Sequence, residues 1–220
     1  VISAGSTGAL LAGATFLVKR IDGVKRPALA VVLPTVTGGQ TVLLDSGANT
    51  DCKPQYLQQF ALMGAAYAEK VLHIERPRVG LLNNGAEAEK GNELTKAAYA
   101  LLRNTPVNFV GNCEARDALS GEFDVIVADG FDGNVLLKSI EGTAAMMMQT
   151  LKTGLYASAR TKIGALLAKP AFRALKKKLY YTEAGGAPLL GVRGGVIKAH
   201  GSSNAKAFCS AILQAERLVN

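Results

Sequence analysis

A chain of 220 residues with 49% hydrophobic content is long enough to bury a full core, which excludes a disordered tail and predicts a single domain over 1–220. No apolar run approaches the roughly 20 residues of a membrane-spanning helix and no secretory signal opens the chain, so a soluble, cytoplasmic protein is expected. The net charge of +8 is local: Gly142 to Thr182 holds eight basic residues and no acidic one, leaving 17 Lys and Arg against 17 Asp and Glu elsewhere.

In chain order, Val1-Ile2-Ser3-Ala4-Gly5-Ser6 lacks an initiator Met and reads as a strand end entering a glycine loop, so an upstream part is expected. Ser6-Thr7-Gly8 offers an N-cap to a helix over Ala9 to Val18. Val42 to Leu44 is a buried-looking strand before Asp45-Ser46-Gly47-Ala48-Asn49. A helix follows Lys53-Pro54, with Leu57, Phe60, Ala61, Met63 and Tyr67 at helical intervals. The next strand, Arg78 to Asn83, runs into Asn84-Gly85 and a loop ending at Lys90, and Gly91-Asn92-Glu93-Leu94 opens another helix. Phe109-Val110 precedes Gly111-Asn112. Val125 to Ala128 precedes Asp129-Gly130-Phe131-Asp132-Gly133-Asn134 and a Met-rich helix.

Pro170 divides the basic segment into two helix-like halves, predicting an amphipathic hairpin over 151–181. Val196-Ile197 and Lys198-Ala199-His200-Gly201-Ser202-Ser203-Asn204 then lead a helix from about Ala205 to Leu218. Repeated strand-helix alternation predicts an α/β fold with a mostly parallel sheet and right-handed crossovers.

Four strands thus end in Asp or Asn beside Gly, the pattern of a ligand site beyond the carboxyl ends of a parallel sheet. No P-loop, G-x-G-x-x-G or nucleophile elbow is present. Three widely spaced cysteines, Cys52, Cys113 and Cys209, suggest neither a zinc site nor a disulfide framework. Asp129 and Asp132 form either a hard-cation platform or helix-capping turns. Asn134 reads equally as an N-cap or as a donor to a substrate oxygen. Lys90 is either a solvated lysine or a cation for a phosphate or oxyanion. The residues around His200 suit an anion site, a capping box or a buried histidine. The basic hairpin suits an anionic membrane, an acidic protein, nucleic acid or a second subunit.

The ordered set Ser3 to Ala9, Leu44 to Asn49, Lys90 to Leu94, Gly111 to Asp117, Asp129 to Asn134 and Lys198 to Ser203 resembles the bacterial phosphate acyltransferases over essentially the whole chain. These enzymes make acyl phosphate from acyl-(acyl carrier protein) and inorganic phosphate for phospholipid synthesis. The resemblance implies a three-layer α/β/α sandwich related to isocitrate and isopropylmalate dehydrogenases, a homodimer and peripheral attachment to the cytoplasmic membrane. It implies catalytic roles for Lys90 and Asn134. Substrate contacts are expected at Ser6, Thr7, Gly8, Asp45, Gly47, Asn49, Asp129, Gly130, Gly133, His200, Gly201 and Ser202.

Acyl carrier protein, inorganic phosphate and an anionic membrane surface are the expected partners. For the last, or for the carrier, Arg160, Lys162, Leu166, Leu167, Lys169, Phe172, Arg173, Lys176 and Lys177 of the hairpin are the candidates. No cofactor, metal or nucleic acid is expected. The family's upstream Asp-Ala-Met-Gly-Gly-Asp motif has no counterpart here. The rival classes are a nicotinamide-dependent hydroxy-acid dehydrogenase on the related fold and a basic nucleic-acid-binding module.

Overall fold

Alternating burial along the central strands sends successive side chains to two different helical layers. The computed structural model of the protein describes residues 1–179, 186–199, 201 and 203–219. Its eight strands are β1 (Ile2–Ser3), β2 (Ala28–Pro34), β3 (Gln40–Leu44), β4 (Arg78–Asn83), β5 (Asn108–Glu114), β6 (Val125–Val127), β7 (Ala187–Leu190) and β8 (Ile197–Lys198). They form one sheet in the order β1-β8-β7-β2-β3-β6-β4-β5.

Four of the seven neighbouring pairs are parallel, so the sheet is mixed, with β2 and β7 as its antiparallel centre. The four strands predicted to carry ligand loops, β3, β6, β4 and β5, are the contiguous parallel half. Three antiparallel steps separate β8 from β3, so β1 and β8 run opposite to that half.

Val42, Leu44, Val79, Leu81, Val125 and Val127 face α2 (Pro54–Lys70) and α3 (Glu93–Leu102), whose Leu57, Phe60, Ala61, Ala98 and Leu102 complete that core. Leu43, Ile126 and Cys113 face the other way, towards Leu136 of α4 (Gly130–Leu155). This period-two division of apolar side chains makes helix, sheet and helix three layers in the parallel half. A third cluster, built on Ala14, Leu29, Leu189 and Val196, joins α1 (Thr7–Gly13) to the antiparallel centre, and Leu10, Leu11 and Ala48 pack on it.

Several boundaries differ from those the sequence predicts. The first helix is α-helical only over Thr7–Gly13 and continues as a π-type turn over Ala14–Val18. Gly111-Asn112 lies inside β5, because an extra residue, Val110, is accommodated as a bulge between the Val79–Phe109 and Gly80–Gly111 pairs. The basic hairpin begins later than 151, since α4 runs through Leu155. Its helices are α5 (Ala159–Leu167), capped by Ser158, and α6 (Lys169–Leu179), and 180 and 181 lie outside the described residues. The break falls at Ala168, and Pro170 sits in the first turn of α6, where its missing N–H costs no helical bond. The last helix, α7 (Ala205–Val219), follows the expected course. Among the described residues, no helix is long and apolar enough to cross a membrane.

Candidate functional site

The loops after β3 and β6 interlock through backbone and carboxylate contacts. Asp45 is fully buried. Its Oδ1 accepts from the backbone N–H groups of Leu29 (2.9 Å), Gly47 (3.3 Å) and Ala48 (3.1 Å), and its Oδ2 from Asn49 N (2.7 Å) and Asn49 Nδ2 (2.8 Å). Burial raises this carboxyl above its ordinary range, and the same donors oppose the rise. Asn49 Nδ2 also donates to the Pro27 carbonyl (2.8 Å). Both side chains are therefore engaged in shaping the loop.

Asp129 caps α4: its Oδ1 accepts from Phe131 N (2.7 Å) and its Oδ2 from Cys52 N (2.9 Å). Of the two readings of Asp129, the helix cap is the one its geometry expresses. Gly130 N donates to the Asn49 carbonyl (2.8 Å). A Cβ on Gly130 would lie 2.4 Å from Asn49 O, and one on Gly133 only 2.0 Å from Asp45 O. These two glycines let the first turn of α4 seat directly on the backbone of the 45–49 loop.

That seat fixes Asn134. The residue lies in the first turns of α4 and is not its N-cap, a role taken by Asp129. Its Nδ2 donates to the Ser46 carbonyl (3.0 Å), with Gly47 packed against the amide. An amide nitrogen carries two hydrogens, so one N–H remains to donate, and Asn134 is exposed. Asp132, also exposed, has its carboxyl raised by partial burial and by Asp129.

Lys90 is exposed in the loop between β4 and α3, and among the described residues it has no carboxylate within ion-pair distance. It immediately precedes the amino terminus of α3, which Asn92 caps by accepting from Thr95 N (2.9 Å). A cleft of about 500 Å³ opens there, between Asn83, Asn84, Gly91 and Asn92 on one side and Phe131, Asp132 and Val135 on the other. Asn134, turned towards Ser46, lies on a different face of α4 from the cleft residues. Lys90 precedes the cleft residues Gly91 and Asn92, and Asn134 lies in the first turns of α4.

The remaining candidates sit elsewhere. Ser6 caps α1, accepting from Ala9 N (3.2 Å), with Thr7 and Gly8 beginning the helix. Gly201 follows β8, and Ala199 N bonds Ser3 O (2.9 Å), so the β1 and β8 ends form one group. Burial, and then the charge of Lys138, lower the pKa of the Lys198 ammonium. His200 and Ser202 lie outside the described residues.

Burial raises the Cys52 thiol well above its usual range, with Asp129 adding to the effect, and pushes Cys113 up to about 12. Neither is an activated nucleophile. On the hairpin, Arg160, Lys162, Lys169, Arg173, Leu166 and Leu167 are exposed and Phe172 is half-buried. Lys176 and Lys177 belong to α6, with side chains outside the described set.

Sequence patterning alone assigns no role to Ser46, Asn83, Asn92 or Asn112. The signals it holds for the asparagines are the helix start at Asn92 and the apparent strand ends at Asn83 and Asn112.

The parallel half of this α/β fold thus presents capped helix termini and an amide donor at the ends of its strands. The fold resembles the EutD phosphotransacetylase of Staphylococcus aureus, with a TM-score of 0.63 and 16% identity over 99% of this chain and 62% of that one. It also resembles a branched-chain phosphotransacylase of Enterococcus faecalis, with a TM-score of 0.62 and 15% identity over 98% of this chain and 72% of that one.

The chain belongs to the fatty acid synthesis protein family, whose sequence model matches residues 1–220. It is 57% identical over 218 residues to a phosphate acyltransferase of Anoxybacillus flavithermus and 56% identical over 215 residues to one of Clostridium acetobutylicum. These matches cover 99% and 98% of this chain. The chain spans about two thirds of the length of these relatives, 66% and 65% respectively. Membership takes the place of the dehydrogenase and nucleic-acid-module alternatives.

Proposed function

We propose that the chain is the major part, and one domain, of an enzyme that transfers a fatty acyl group from acyl-(acyl carrier protein) to inorganic phosphate. The acyl phosphate formed serves phospholipid synthesis. The observation that carries this reading is the seating of α4 on the 45–49 loop, which fixes the Asn134 amide with one N–H still available. The sequence identity to phosphate acyltransferases supports the substrate pair.

Phosphate is anionic at neutral pH and needs positioning against the thioester carbonyl more than activation. Lys90, without a carboxylate partner among the described residues, neutralises charge on phosphate or on the oxyanion. Asn134 donates to the thioester oxygen as it gains charge. The phosphate oxygen attacks the carbonyl carbon, the C–S bond breaks, and the carrier leaves as its thiolate and takes a proton from solvent. Neither buried cysteine is suited to form an acyl-enzyme. Gly47, Gly130 and Gly133 allow the close seating of α4 on its loop, Asp45, Asn49 and Asp129 hold the loops, and Ser6, Thr7, Gly8, His200, Gly201 and Ser202 remain candidate substrate contacts.

The basic hairpin, with Leu166 and Leu167 exposed, supports contact with an anionic membrane surface or with the acidic carrier. Dimerisation, cytoplasmic location at the membrane's inner face, and a relation to the isocitrate dehydrogenase fold complete the reading. Hydroxamate trapping of acyl phosphate with Lys90→Ala and Asn134→Ala in the full-length gene product tests it. Each variant is expected to fold and to lose about 100- to 1,000-fold in turnover. Near-parental turnover in either removes that residue from the mechanism.

A further inference from the structure

Between β4 and α3 the chain crosses 84–92 without regular secondary structure, yet this loop carries the lysine proposed to meet phosphate. A solvated loop and a long flexible side chain are poor placement devices on their own. The loop is tied to the sheet at two points. Asn112 Nδ2, from β5, donates to the Glu87 carbonyl (2.7 Å), and Asn83 Nδ2, from the end of β4, donates to the carbonyl of Lys90 itself (3.1 Å). Lys90 N closes the turn by donating to the same Glu87 carbonyl (3.1 Å), so that oxygen receives both the strand and the lysine.

Asn112 reaches this position because β5 is bulged. Val79 pairs with Phe109 and Leu81 with Asn112, so four residues of β5 lie opposite three of β4. The extra residue, accommodated next to Gly111 at φ +111°, reverses the alternation. It turns Asn112 to the face that carries Val79, Leu81 and α3 rather than to the face of Cys113. Bulges commonly re-aim a side chain in this way beside functional sites. Asn112 is also 7% exposed, and its Oδ1 has no partner among the described residues. A buried amide with an unpaired oxygen is a costly way to fill space, so its value lies in the bond it does make.

We propose that Asn112, assisted by Asn83, is a positioning residue that latches the Glu87–Lys90 turn and thereby sets the Lys90 ammonium at the reaction site. The proposal rests on the catalytic reading of Lys90 and goes beyond it. Asn112 touches neither substrate nor reacting atoms. It acts through Lys90, so its contribution should vanish when Lys90 is gone.

The test is a double-mutant cycle in the full-length gene product, read as single-turnover formation of acyl phosphate, together with amide hydrogen exchange over 85–91. Asn112→Ala is expected to quicken exchange in that segment and to lower turnover about 10- to 100-fold. In a Lys90→Ala background the same change should alter turnover by less than about twofold, the non-additivity expected of groups acting as one unit. Equal fractional losses in both backgrounds, or unchanged exchange, would overturn the proposal.

If Asn112→Ala fails to fold, Asn83→Ala is carried through the same cycle, where the same results support or overturn the latch. Parental turnover in Lys90→Ala alone would show that the catalytic reading of Lys90 has failed and would take the positioning role with it. The exchange measurement separates that failure from failure of the latch itself.

Discussion

Gly133 is the contact on which the whole arrangement turns, and α4 contains its own control. A Cβ on Gly133 would sit 2.0 Å from the Asp45 carbonyl oxygen, whereas ordinary contact begins near 3.4 Å, so the helix or the loop must give by about 1.4 Å. That oxygen belongs to the backbone of a loop held by five hydrogen bonds to one buried carboxylate, so little relaxation is available. Gly142 lies in the same helix with nothing within 4 Å of its Cβ position.

Replacing an interior helical glycine with alanine gains about 1 kcal/mol of helix propensity at either site. At Gly142 that gain should appear as a stabilisation of up to about 1 kcal/mol. At Gly133 overpacking, typically about 1–3 kcal/mol, should exceed it. Because Asn134 is the next residue, a shift of this size should also lower turnover about 100-fold. Urea unfolding of both variants with parallel acyl phosphate assays gives the comparison. A Gly133→Ala protein as stable and active as Gly142→Ala would refute the close seating of α4.

Asp45→Asn places an NH₂ group among donors that now meet a carboxylate. Unpaired donors cost about 1–3 kcal/mol each, so a loss of about 2–5 kcal/mol in urea unfolding is expected, and a neutral outcome would mean the loop needs no anion. Asp124 is raised by burial but brought below its ordinary value by the Arg78 side chain and backbone N–H, bonded at 2.8 to 2.9 Å. A depressed folded-state pKa gives stability that is present above the unfolded value of 3.8 and lost as pH falls through the folded one. Asp124→Asn should therefore flatten the acid limb of stability below about pH 4, and an unchanged limb in thermal melts would reject the pair as its source. Changing Leu166, Leu167 and Phe172 to polar residues should abolish flotation with anionic liposomes. Flotation at the parental level would reject insertion of that edge.

The parallel half of the sheet is legible in the sequence because its strands are short apolar runs with punctuation at their carboxyl ends, as at Val42 to Leu44 and Val125 to Ala128. Period and punctuation are local properties of a sequence. The antiparallel centre is not legible: β2 pairs with β7 across some 160 residues, and nothing in Ala28 to Pro34 names its partner. The β5 bulge is hidden for a related reason, since Gly111-Asn112 has the look of a strand end and only pairing with β4 reveals that the strand continues.

At the site, Asp129 and Asn134 are marked in the sequence as polar residues beside glycine, and Asp45 as one two residues before Gly47. Whether a carboxylate faces ligand or its own loop depends on donors as distant in sequence as Leu29 and Cys52. Asn112 carries the same mark beside Gly111, but its actual role is illegible because its partner is a backbone carbonyl, which carries no sequence signal at all.

The most direct test of direct transfer to phosphate is to mix full-length protein with long-chain acyl-(acyl carrier protein), with and without inorganic phosphate, and to follow release of free carrier together with acyl groups retained on the protein. Release that requires phosphate, with acyl phosphate as product and no acylated protein, is the predicted result. A burst of free carrier without phosphate, leaving the acyl group covalently on the protein, would contradict it.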